Sequence, residues 1–290
     1  MNGLLIIDKP ANITSHDVVN KLRKILCIKR IGHTGTLDPF ARGVMVLLIG
    51  EATKLSKYFV EKDKSYHAEI LIGTKTDSDD VTGEVIDEKS VSHITEEMID
   101  VSLTSFSGKI KQIPPIYSAI KKDGKKMVDL ARKHKEMPEL EPRDVEIYSI
   151  RKQKVSRDGN KIIIEVDMFV SKGTYIRSFA RDLGEKLGSV GTLNSLLRTE
   201  VGPFSLKKAC SLSDISKDNI TLIDPLIYLG MPKLVLSDEH AKDVSFGRFL
   251  PMSLFENAED TILYNSQSKA IAIYTYDQQK NIMRMSVLLN

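Results

Sequence analysis

The stretch KIIIEVDMFVSKGTYIRSFARDLGEKLG, residues 161–188, changes its period half-way. Ile162, Ile164, Val166, Met168 and Val170 recur at every second position, so they share one face of a strand. After the polar break SKGT, Phe179, Leu183 and Leu187 recur at helical spacing, and Gly188 supplies the stop. A half-buried strand therefore runs straight into an amphipathic helix. The same alternation appears in YHAEILI (66–72), where Tyr66, Ala68, Ile70 and Ile72 share a face. LLII (4–7) reads as a short buried strand. VMVLLI (44–49) is apolar without alternation, which implies burial on both faces. Between these two runs, Thr14 and Asp17 fit a capping box, and Val18, Val19, Leu22, Ile25 and Leu26 form a helical stripe. Strands and helices are mixed without regular βαβ alternation, so the expected class is α+β, with a mixed, largely antiparallel central sheet and flanking helices.

The character changes after LIDPLIYLGMP (222–232). KLVLS reads as a strand, DEHAKDVSFG as a short helix, and runs near 261–264, 268–275 and 282–288 as strands. The expected division is a domain of residues 1–230 and a smaller β-rich domain of residues 231–290. Neither internal repeats nor low-complexity tracts break the chain.

At 290 residues, 41% hydrophobic and 28% charged, the chain has the profile of a soluble globular protein. Its apolar runs are too short to span a bilayer, and MNGLLIIDKP lacks the basic-then-apolar design of a signal peptide. Cys27 and Cys210 make neither a disulfide framework nor a zinc site. A cytoplasmic location is expected. The net charge of +3 is modest, but residues 121–135 carry seven Lys or Arg against two Asp. Such a patch suits a phosphate backbone, or it is a solvated helix face. Flanked by IPP and MPELEP, the basic segment 121–142 reads as an insertion standing off the sheet.

Chemistry concentrates around GHTGTLDPFARG (32–43). Pro39 pushes Asp38 out of the helical region, while Gly32, Gly35 and Gly43 permit backbone geometry closed to other residues. The turn either holds a carboxylate in one pose for reaction or is simply capped by it. Metal chemistry finds no pattern: the six histidines form no H-x-x-x-H pair, and in DSDDVTGE (77–84) Gly83 falls one place late for a calcium loop. No phosphate-binding G-x-x-x-x-G-K-[ST] occurs. If Asp38 works, it works as a nucleophile or general base without a metal. Arg177, at the junction of strand and helix, is placed to keep such a carboxylate ionised. Tyr66, in register with the apolar face of its strand, reads first as a core tyrosine and only second as a site residue, and Tyr175 has the same two readings.

LLIIDKPANITSHDVVNKLRKIL followed by RIGHTGTLDPFARGVMVLLIGEATK resembles the start of the TruB-type tRNA pseudouridine synthases. The likeness continues through KSYHAEILIGTKTDSDDVTGEV, QIPPIYSAIKKDGKKMVDLAR, VSKGTYIRSFARDLGEKLG and LNSLLRTEVGPF, and covers nearly all of residues 3–225. It implies a pseudouridine synthase fold and the isomerisation of uridine 55 in the T arm of tRNA, by base flipping and without cofactor or metal. On that resemblance Asp38 matches the essential aspartate, Tyr66 the tyrosine that stacks on the base and is a candidate general base, and Arg177 the arginine paired with the aspartate. Tyr175 and Leu196 match residues lining the uridine pocket, with Leu197 one place from Leu196 as the alternative. His33 matches a histidine that packs against the T loop, and Lys9 and Pro10 a supporting motif. The insertion 121–142 corresponds to an element that closes over RNA, and residues 231–290 look like a PUA domain. The resemblance implies a monomer with no membrane and no obligatory protein partner. Two further readings are a tRNA-folding chaperone using the same surface and a guide-dependent synthase of the dyskerin type.

Overall fold

A computed structural model describes residues 1–117 and 140–289 in full, and 121–122 and 125–126 by their backbone pairing. Its strands are β1 (Gly3–Lys9), β2 (Ile31–His33), β3 (Arg42–Ile49), β4 (Lys64–Ile72), β5 (Thr74–Thr76), β6 (Val85–Glu88), β7 (Gly108–Gln112), β8 (Lys121–Lys122), β9 (Lys125–Lys126), β10 (Arg143–Asp158), β11 (Lys161–Val170), β12 (Gly191–Val201), β13 (Phe204–Ser205), β14 (Cys210–Ser211), β15 (Lys233–Val235), β16 (Thr261–Tyr264), β17 (Ala270–Asp277) and β18 (Ile282–Leu288). The helices are α1 (Ser15–Leu26), α2 (Ser56–Val60), α3 (Glu96–Thr104), α4 (Ile176–Lys186) and α5 (Asp238–Ser245).

The main sheet runs β14-β1-β3-β12-β4-β11-β10-β7, with β2 added to β3 and β13 to β12. Its pairings are antiparallel except β1 with β14 and β3 with β12. The class is the expected one, α+β with a largely antiparallel sheet. β3 is buried on both faces, as its unbroken apolar run requires. Val44, Val46 and Leu48 enter one core with Leu4 and Ile6, while Met45, Leu47 and Ile49 enter another with Leu5 and Ile7. Helix α1 covers the second of these. Its capping box forms, with Thr14 Oγ1 accepting from Asp17 N at 3.0 Å and Asp17 Oδ2 accepting from Thr14 N at 2.9 Å. A helix this short is marginal alone. Burial of Val18, Val19, Leu22 and Leu26, about 1.5–3 kcal/mol for each full side chain, holds it.

The alternating strands β4 and β11 pair antiparallel, Tyr66 opposite Met168 and Ile70 opposite Ile164. Their apolar face packs on Phe179, Leu183 and Leu187 of α4 and its end, and Gly188 takes φ 71° as the helix stop. β12 is a strand that the hydrophobic pattern does not announce, yet it lies in the middle of the sheet between β3 and β4. Register shifts between Leu193 and Ser195 and between Arg198 and Glu200 break its period, and buried Thr192 and Arg198 occupy inward positions.

β15-β16-β17-β18 form a second sheet, with elements where the sequence suggests them. Leu263, Tyr274 and Met283 pack with Leu236 and Val244 in a core of their own. The expected basic insertion 121–142 lies largely outside the described residues, apart from the antiparallel pairing of β8 with β9. Among the described residues no helix is long and apolar enough to cross a membrane.

Candidate active site

The turn after β2 carries Asp38, and two buried cations pin that turn from below. Lys9, at the end of β1 and fully buried, donates from Nζ to the carbonyls of Pro10 at 2.9 Å, Ile13 at 2.8 Å and Pro39 at 3.1 Å. Burial pushes its ammonium down to about 8, against the pull of Asp38. Arg198, on β12 and 2% exposed, donates to Val44 O at 2.7 Å, Thr36 O at 3.2 Å and Gly35 O at 3.2 Å. β12 comes that close because Gly43 has no side chain. At φ 111° it faces the backbone of Arg198, and a Cβ there would lie 2.2 Å from Arg198 O.

With the turn held from below, the Asp38 side chain meets Arg177. Its own carbonyl accepts from Ala41 N at 3.2 Å, closing the turn, while the carboxylate goes to Arg177. Arg177 Nη2 donates to Asp38 Oδ1 at 3.2 Å and Nε lies 3.0 Å from Oδ2, a charge contact without hydrogen-bond alignment. The guanidinium is 5% exposed and the carboxylate 32% exposed, so the pair is buried on the arginine side and open on the aspartate side. Burial pushes the Asp38 carboxyl above its ordinary value; Arg177 and Lys9 pull against that, and Asp80 adds to it.

Arg177 is over-determined. Its Nη1 donates to Ser78 O at 3.1 Å and sits 3.4 Å from Asp80 Oδ2, and Nη2 also donates to Tyr117 O at 2.9 Å. Asp80 is fixed in turn through Oδ1, which accepts from Thr82 N at 2.9 Å and Ser78 Oγ at 3.0 Å. Next to it, Asp79 holds Arg181 at 3.0 Å. The acidic loop 77–84 is thus a cradle for arginines of α4. Its composition signals charge, but nothing in its spacing marks Asp80 as a partner of Arg177. Gln112 is a second group that the sequence reading missed. It is buried at the end of β7, accepts from Tyr175 N at 2.8 Å and donates to Tyr175 O at 3.0 Å, fixing the strand-to-helix junction.

A cavity of about 520 Å³ opens over Asp38 and Arg177. Tyr66, Tyr175 and Leu196 line it as well, so five of the six residues singled out in the sequence share one wall system. Leu196 is the lining residue of its pair. Buried, it faces the cavity with Arg198, whereas half-buried Leu197 takes the opposite side of β12. His33, the sixth, does not line the cavity. It sits half-buried on β2 with Nδ1 unpartnered, and burial, with Arg198 and His16 adding to it, keeps its ring below the usual histidine range. The cavity therefore offers a carboxylate held in one orientation, three tyrosine rings (Tyr66, Tyr117 and Tyr175) and a largely cationic wall.

Residues 23–176 match the family described as TruB family pseudouridylate synthase (N terminal domain). The chain is 42% identical over 281 residues to the tRNA pseudouridine synthase B of Acholeplasma laidlawii, covering 97% of this chain and 98% of the relative. It is 37% identical to the tRNA pseudouridine synthase B of Bacillus pumilus, covering 100% of this chain and 98% of the relative. Among solved structures, it is similar to a chain of a Cbf5–Nop10–Gar1 complex, with a TM-score of 0.68 at 23% identity, over 99% of this chain and 84% of that one. It is also similar to a chain of an H/ACA RNP bound to a substrate RNA containing 2′-deoxyuridine, with a TM-score of 0.66 at 21% identity, over 98% and 83%. At these identities the structural likeness concerns the fold alone.

Proposed function

The chain belongs to the TruB family of pseudouridylate synthases and is an enzyme that isomerises uridine in tRNA, and on that premise we propose that its uridine is position 55 of the T arm and that Asp38 is the carboxylate that acts on it. The observation that carries this reading is the Asp38–Arg177 pair at the wall of a cavity that Tyr66 also lines. At about 520 Å³ the cavity has the capacity of an ordinary ligand site, about 300–1,000 Å³.

The reaction must part C1′ of the ribose from N1 of the base, rotate the base, and rejoin it through C5. The nucleotide has to leave its stack first, at a cost of a few kcal/mol. Stacking on Tyr66, about 1–3 kcal/mol for such a contact, offsets this. Tyr175 and Leu196 close the pocket around the base. Arg177 holds the open face of the Asp38 carboxylate toward the sugar, where it attacks C1′ or promotes loss of the C2′ proton. A carboxylate held in this way loses little freedom on the way to the transition state. His33, outside the cavity, packs against the loop that the base has left.

Residues 231–290 act as a PUA-like RNA-binding domain, and the insertion 121–142 closes over the T arm. The enzyme works in the cytoplasm as a monomer, without a guide RNA, protein partner, metal or cofactor. Recognition rests on the shape of the folded arm and on phosphate contacts, as is usual for RNA.

The test is tritium release from an unmodified tRNA transcript labelled at uridine C5, with purified wild type and Asp38→Asn and nothing else added. Release by the wild type, a loss of about four orders of magnitude or more in the variant, and tRNA binding by both are expected. Normal turnover by Asp38→Asn removes Asp38 from the chemistry. Binding without release by either protein leaves a tRNA-folding chaperone, and release only with an added guide RNA makes the enzyme guide-dependent.

A further inference from the structure

Strand β4 turns Lys64, Tyr66, Ala68, Ile70 and Ile72 to its buried face, and the lysine is the anomaly among them. Lys64 is 9% exposed. Its register partners are Val170 on β11 and Val201 on β12, both buried, so its stem starts among apolar residues. The side chain lines the same cavity as Asp38, two places along the strand from Tyr66. Its Nζ donates to Val60 O at 3.3 Å and to Lys62 O, carbonyls at and just beyond the end of α2.

One cation and one anion act on this ammonium. Arg198, from β12, acts on it most strongly, and Asp63 is the acid that opposes Arg198. Lys62 lies beside it, and Glu61 is taken by Lys172. Burial and Arg198 bring Lys64 down to about 8. Arg198 itself is held by carbonyls of Val44, Thr36 and Gly35. Two cations on one wall, satisfied by carbonyls, form a costly arrangement until an anion arrives. In a nucleotide that anion is the phosphate. The lysine, on β4, and Asp38, on the turn after β2, reach the same cavity from separate elements, as the phosphate and the sugar carbon are separate points of one nucleotide.

Resting on the reading of Asp38 above, we propose that Lys64, with Arg198 behind it, binds the phosphate flanking the extruded uridine and is a substrate-positioning residue for the reaction. The contact sets how deep the ribose sits against Asp38. The alternative is that Lys64 only ties off the end of α2, which stabilises the fold and leaves RNA affinity alone.

The test compares wild type, Lys64→Met and Lys64→Arg on the C5-tritiated tRNA transcript, across salt and from pH 7 to 9.5. Lys64→Met is expected to raise half-saturation about ten- to a hundredfold, the scale of a charged hydrogen bond, with a smaller change in rate at saturation. Its plot of log affinity against log salt should flatten by about 0.7–0.9, one phosphate contact's worth. Wild-type affinity should weaken as pH rises past about 8, because deprotonation removes the charge. Lys64→Arg, which stays charged throughout, should keep the salt slope and lose the alkaline weakening. An unchanged salt slope in Lys64→Met overturns the proposal. So does a loss confined to the saturated rate, which would make the lysine an acid or base. If Lys64→Met fails to fold, an alkaline weakening in Lys64→Arg equal to the wild type's overturns it instead. Absence of tritium release from the wild type would strike Asp38's role and leave the binding measurements to decide Lys64.

Discussion

Asp38 shows how burial and neighbouring charge oppose each other at a single residue. Burial disfavours its charged form, and Arg177 and Lys9 offset part of that cost without cancelling it, since the carboxyl stays above its ordinary value. Between the ordinary carboxylate pKa and the raised one, the folded state keeps a proton that the unfolded chain has lost. Stability must then fall as pH rises through that window, and the deficit is fully present above it. Asparagine has the shape of the protonated acid and never acquires the charge. Asp38→Asn is therefore expected to melt at a higher temperature than wild type at pH 8, with the gap closing as pH falls toward 4, while tritium release is lost. Thermal melts across pH check this. A variant that melts lower at pH 8 would mean that attraction to Arg177 outweighs burial. The same balance places the acid limb of wild-type kcat/KM above the usual carboxylate range.

Elements differ in how openly the sequence displays them. β4 and β11 bury one face each and show it by alternation, β3 buries two faces and shows it by an unbroken run, and α1 shows both its cap and its stripe. β12 is hidden because two register shifts break its period and because its inward positions include Arg198 and Thr192, which read as surface residues until their partners, the turn carbonyls for Arg198 and Thr76 for Thr192, are known. The site has the same split. Asp38 and Arg177 stand out through turn chemistry and junction, Tyr66 is marked by its face only as a core residue and by the family resemblance as a site residue, and Asp80 and Gln112 act across the fold and leave no local pattern. Gly43 links the two kinds of information. It looks like a loose entry to β3, yet its φ of 111° and the 2.2 Å approach to Arg198 O make it the place where β3 and β12 touch. Gly43→Ala is expected to cost at least about 1–3 kcal/mol through the strained backbone alone. It should also push β12 away, so that Arg198 releases the Gly35 and Thr36 carbonyls and the Asp38 turn loosens. Denaturant unfolding should show the lost stability, and single-turnover rates should fall by more than tRNA affinity. Wild-type stability would mean that the strands part without strain.

At the scale of the whole molecule, the second sheet is not an appendage. Ile262, Ile273 and Val287 from β16, β17 and β18 are buried with Leu4, Ile6, Val44, Val46 and Phe59 of the main sheet's side. Polar ties run across the same seam: Lys54 Nζ donates to Leu288 O at 2.8 Å, and Tyr58 Oη lies 3.1 Å from Ser286 Oγ. The face of β1 and β3 opposite α1 thus draws part of its cover from residues beyond 230, while Leu263, Tyr274 and Met283 fill the C-terminal sheet's own core. A shared core makes the two sheets melt together, and a mere linker would let them melt apart. Ile273 is fully buried at that seam, and Ile273→Ala removes atoms that little else can replace. The expected cost is about 2–5 kcal/mol, spread over one cooperative transition, with far-ultraviolet and near-ultraviolet signals moving together. Two separate transitions, with only the smaller one shifted by the substitution, would show that the C-terminal sheet folds on its own. The proposed RNA-binding unit would then be a tethered module, and its orientation toward the cavity would be set by the RNA. A single transition ties that orientation to the core of the main sheet and fixes it before any tRNA is bound.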